Sequence, residues 1–67
     1  MIILDPEFGC IIKAEAGDIV WDDLLRVNAV IVRVDFDQHG NVGYWLNNDY
    51  LGGGRHPWEI SPAREFK

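Results

Sequence analysis

Cysteine and basic residues are scarce in this chain. Its 67 residues include one cysteine, one methionine, three prolines and six lysines and arginines together. With Cys10 alone, no disulfide can form within the chain. Only His39 and His56 could join it as zinc ligands, and their positions match no ligand spacing. Neither a metal nor a cofactor is expected. Domains of this size commonly lean on disulfides, metals or oligomerisation, so pairing of two copies into a homodimer is expected. Cys10, between Gly9 and Ile11, is expected to be a small buried apolar residue. No apolar run approaches the roughly 20 residues of a membrane span. The opening MIIL is cut short by Asp5 and Pro6, unlike a secretion signal. No membrane association and a cytoplasmic setting, in the producing cell or a host cell, are the expectations.

What the chain has in quantity is acid and apolar surface. Eleven acids against six bases give a net charge of −5, and 48% of the residues are hydrophobic. The acid is uneven: residues 1–49 hold nine acids and three bases, whereas Arg55, Arg64 and Lys67 outnumber Glu59 and Glu65 in the remainder. An acidic body repels phosphate, which disfavours direct nucleic-acid binding. The composition is that of one folded domain, residues 1–67, with its core over about 10–62 and a loose tail at 63–67.

Apolar alternation predicts short strands. Residues 2–4 suit an edge strand, Cys10 to Ala14 a second short run, and Gly17-Asp18 a turn feeding Ile19-Val20-Trp21. Asp22 to Arg26 reads as a loop or one helical turn, with Leu24 and Leu25 tucked under the sheet. The clearest strand is Asn28 to Asp35, where Val30, Val32 and Val34 alternate with Ile31, Arg33 and Asp35. Val42 to Asn47 is its partner, with Tyr44 and Trp45 on opposite faces. Tyr50-Leu51 and Trp58-Glu59-Ile60 suit two further strands. Five or so short strands without a convincing helix predict an all-β fold, a small five-stranded barrel or sandwich.

DFDQHGNVGYW, residues 35–45, opens like a calcium loop, with Asp35, Asp37 and Gly40 at the first, third and sixth places. The twelfth place, where a bidentate Glu is needed, is Leu46. A hairpin accounts for the same residues, because Gly40-Asn41 tolerates positive φ. Gly52-Gly53-Gly54-Arg55-His56 lacks the Lys-Ser/Thr and the following helix of a phosphate loop. No motif ties a nucleophile to a base, and so small a fold offers little room for a water-excluding pocket. Catalysis is not expected. Trp21, Trp45, Trp58, Tyr44 and Tyr50 are many large rings for this length. An exposed ring beside acids makes a protein-recognition surface.

The run GDIVW, AVIVRVD, a glycine hairpin, VGYWLN and HPWEISP resembles the layout of the SH3-like small barrels, including their KOW- and Tudor-like branches, over Gly17 to Pro62. The resemblance implies the fold and no site, because those nucleic-acid binders are commonly basic and no Tudor-type cage can be matched here. In size and charge the chain is also similar to small bacteriophage and mobile-element proteins, among them anti-CRISPR inhibitors. The functional expectation is a non-catalytic module that binds a protein with a basic surface. Asp22, Asp23, Asp35 and Asp37 would supply charge, and Tyr44 and Trp45 would be anchors. The alternatives are a nucleic-acid-binding accessory domain using Arg33, Arg55, His56, Arg64 and Lys67, or a structural subunit of a virion or other assembly.

Overall fold

The computed structural model describes residues 1–48 and 54–64. Its longest element is β4, Val27–Phe36, which organises the sheet. The other strands are β1 (Ile3–Leu4), β2 (Ile11–Lys13), β3 (Ile19–Asp22), β5 (Val42–Leu46) and β6 (Ile60–Pro62). A four-stranded antiparallel sheet runs β5-β4-β3-β6, and β1 pairs with β2 in a separate two-stranded sheet. The all-β expectation is met. Among the described residues the six strands lie in two sheets and do not close into a five-stranded barrel. The one helical element among the described residues is a 3₁₀ turn, Pro57–Glu59, where an extended strand had been expected at Trp58. Pro57 starts it because a fixed φ and a missing N–H suit a first helical position. No described helix is long and apolar enough to cross a membrane. Tyr50, Leu51, Gly52 and Gly53, expected as a strand and a break, lie outside the described residues, as does Lys67.

Strand β4 changes partner along its length. Val27 to Val30 pair with β3, and Ile31 to Phe36 pair with β5. Between Ile31 and Arg33 the register slips, so that Val32 is the extra residue of a bulge. A bulge reverses which face the following side chains take. Ala29 and Ile31 are therefore buried before it, and Val34 packs against the core after it, while Val32 is exposed. Simple alternation of Val30, Val32 and Val34 on one face does not survive this shift. On β5 the alternation holds, with Tyr44 and Leu46 buried.

The core consists of Ile11, Ala14, Val20, Ala29, Ile31, Tyr44, Leu46 and Ile60. The β3–β4 connection is a short non-helical turn, but Leu24 and Leu25 are exposed and do not tuck under the sheet as expected. Asp22 shapes this turn: its Oδ1 accepts the Leu24 N–H at 2.9 Å, and its carbonyl accepts the Arg26 N–H at 2.7 Å. Near the far end, Arg64 is tied back to β4. Its N–H donates to Asn28 Oδ1 at 2.9 Å, and its guanidinium lies 4.4 Å from the ring of the buried Trp21.

Cys10 is exposed, which corrects the expectation of burial. The β1–β2 connection bends through Gly9 at φ +71, and a hydrogen bond joins the Asp5 N–H to the Cys10 carbonyl, leaving the thiol outside the core. The expected consequence is quantitative reaction of Cys10 with a thiol reagent in the native state, at the same rate with and without denaturant. Protection that vanishes only on unfolding would contradict this placement.

Candidate functional site

The β4–β5 hairpin gathers three of the six residues expected to form a site. Asp35, Asp37 and Trp45 line one hollow of about 260 Å³, together with Gly43, Asn41 and His56. A second hollow of about 350 Å³ adjoins it, sharing Asp37, Asn41, Val42 and His56 and adding Trp58. Trp58 is 76% exposed and stacks on His56, with centroids 4.4 Å apart and planes 11° from parallel. The 3₁₀ turn holds this ring pair. The His56 N–H donates to Glu59 Oε1 at 2.9 Å, and the Glu59 N–H donates to the His56 carbonyl at 2.9 Å. The result is a groove with acids from the hairpin on one side and stacked rings from the turn on the other.

The two acids are not loose side chains. Arg33 and Asp35 stand two apart on β4 and so share a face. Arg33 Nε and Nη2 both approach Asp35 Oδ2, at 2.7 and 2.5 Å. The Arg33 guanidinium also lies 5.1 Å from the centroid of Trp45, its cross-strand neighbour. Asp37 braces the hairpin turn. Its Oδ1 accepts the N–H groups of His39 and Asn41, at 2.8 and 2.9 Å, and its Oδ2 accepts Asn41 Nδ2 at 3.2 Å. The Asn41 N–H bond, with the other donors, holds the Asp37 carboxyl below its ordinary pKa despite some opposing desolvation. It is charged at neutral pH. Substitution at Asp37 therefore also disturbs the turn, which a freely solvated tip would not do.

The remaining expected residues sit elsewhere. Asp22 is wholly buried, because Val20 and Asp22 share the inward face of β3. Its carboxylate takes a bidentate contact from Arg55, Nε to Oδ1 at 3.1 Å and Nη2 to Oδ2 at 3.2 Å. Tyr44 is 1% exposed and belongs to the core. Neither offers a surface to a partner, which corrects their assignment as charge and anchor. Asp23 is exposed, but its two carboxylate oxygens share the single Ser61 O–H, with Oγ 3.1 and 2.9 Å away, apart from the hairpin acids. Arg55, offered for nucleic-acid contact, is 3% exposed.

Sequence reasoning missed the His56–Trp58 pair and the Asp22–Arg55 clip. A signal for the second existed: alternation from Val20 puts Asp22 on the core face, where a carboxylate needs a cation. Among the described residues no three His, Cys, Asp or Glu side chains converge on one point. A larger concavity, about 850 Å³, is mostly apolar and lies between the Ile12–Ala16 segment and Val32, Val34 and Phe36. Phe36, 70% exposed, borders both it and the acidic hollow. No protein-family model, curated protein or solved structure matches this chain.

Proposed function

We propose that the chain is a non-catalytic protein-binding module that covers a basic surface of another protein with its hairpin groove. The observation carrying this reading is the convergence of Asp35, Asp37 and Trp45 with the exposed His56–Trp58 stack. Exposed aromatic rings supply affinity at interfaces, and charges of one sign speed encounter with the opposite sign. Basic protein surfaces commonly serve to hold nucleic acid, so such a module acts as an inhibitor by occupying that surface. The net charge of −5 supports a protein partner over nucleic acid. So does the engagement of two residues offered for nucleic-acid contact, Arg55 with Asp22 and Arg64 with Trp21. The division of β4 between β3 and β5 supports an SH3-like reading of the layout.

The test is association with the basic protein that the immobilised chain captures from cells. Asp35→Asn with Asp37→Asn removes both charges and keeps one acceptor oxygen at each position, so the two backbone bonds at Asp37 can persist and only its side-chain bond from Asn41 is lost. The double variant should associate about tenfold more slowly at low salt, and the difference should shrink as salt rises. Equal rates for variant and wild type at low salt would overturn the reading.

A further inference from the structure

Gly43 occupies the middle of β5, where a side chain would ordinarily strengthen the strand. Its backbone is not in the left-handed region, and a Cβ built there meets nothing within 4 Å. Neither turn geometry nor crowding requires glycine. What the missing side chain does is leave a hollow. Gly43 pairs with Asp35, and Trp45 pairs with Arg33, so all four residues share the outer face of the hairpin. The space over Gly43 is the 260 Å³ hollow walled by Asp35, Asp37 and Trp45.

Resting on the reading above, we propose that Gly43 is the floor of a pocket for an arginine side chain of the protein partner. Three features fit a guanidinium. Two carboxylates border the hollow. Both Arg33 contacts fall on Oδ2 of Asp35, so Oδ1 accepts no hydrogen bond from any described residue. A planar guanidinium can use that oxygen while an aromatic ring flanks it. Arg33 itself displays this chemistry in cis, bonded to Asp35 and lying over Trp45. The Trp45 ring is backed by the chain: a Cβ at Gly54 would come within 3.5 Å of it. Phe36 at the rim gives the aliphatic stem of the arriving residue an apolar rest.

The experiment titrates the ¹⁵N-labelled chain with N-acetyl-arginine amide, with the lysine and norleucine amides as controls, and follows the Gly43 amide and Trp45 indole signals. The arginine compound should shift both signals saturably, and norleucine should shift neither. Gly43→Val fills the hollow while favouring the strand, and should weaken the arginine response at least about tenfold. Gly43→Ala should fall between, and it carries the test if the valine variant misfolds. An undiminished response in these variants, or an equal response to lysine, overturns the guanidinium pocket. If Gly43→Val binds the captured partner like wild type while the Asp35→Asn, Asp37→Asn variant associates slowly, the pocket fails and the acidic groove stands. If both variants bind like wild type, both readings fail.

Discussion

Arg55→Met is expected to remove most of the stability of the fold at room temperature. The Asp22 carboxylate would be left wholly buried with its cation gone. Breaking a buried ion pair from one side costs about 3–5 kcal/mol. Small domains hold a total stability near the low end of about 5–15 kcal/mol. The loss also removes a clip, because the Arg55 backbone pairs with Tyr44 on β5 while its side chain reaches Asp22 on β3. Asp22→Leu combined with Arg55→Met should recover most of the stability, since no buried charge remains. Recovery should be incomplete, because the Leu24 N–H loses its acceptor. Urea unfolding followed by tryptophan fluorescence measures all three, and a single variant within about 1 kcal/mol of wild type would show that the pair is solvated.

The same pair sets an acid limit. Burial pushes the Asp22 carboxyl up, but the Arg55 hydrogen bonds, the Leu24 N–H and the guanidinium charge outweigh it and leave the pKa below its ordinary value. The unfolded chain then binds the proton more readily than the folded one. The stability Asp22 contributes is complete above the unfolded value, about 4, and is lost as pH falls through the lower folded value. Melting temperature should therefore drop below about pH 4, and the Asp22→Leu, Arg55→Met variant should drop less steeply.

Tyr44→Ala is expected to cost about 3–5 kcal/mol, the range for deleting a buried aromatic ring. Tyr44 is among the largest fully buried side chains and packs in the core formed with Ile31 and Leu46. Loss of partner binding in this variant would thus report loss of the fold. Trp58→Ala is the informative contrast. Trp58 is mostly exposed, so its removal should leave urea stability within about 0.5 kcal/mol of wild type while weakening partner binding. A Trp58→Ala variant as unstable as Tyr44→Ala would mean that the ring is packed inside.

Much of this architecture was legible in short local signals. The β4–β5 hairpin was, because Gly40-Asn41 punctuates two runs of strong β-formers. The opposite facing of Tyr44 and Trp45 was, because strand geometry forces it. Which ring lies inside was not. That depends on which face of β5 the rest of the sheet covers, and the bulge at Val32 alters the facing of β4 midway without any marker in the residues themselves. A tryptophan close to isoleucine favours a strand at Trp58. The proline before it and the Glu59 side-chain bond back to His56 make a tight turn instead, which carries the ring into solvent.

The sequence by itself determined the all-β class, the absence of any internal disulfide, the hairpin and the acidic character of its tip, since each follows from composition or from contacts between near neighbours. The tertiary structure decided the rest. Asp22 and Arg55 stand 33 residues apart, and only the approach of the returning segment to β5 and β3 turns two charges into one buried pair. The groove likewise needs the 3₁₀ turn brought against a hairpin formed some twenty residues earlier. Local preference sets which elements form. Their juxtaposition follows from how a small apolar core can be covered, and that depends on the whole chain at once.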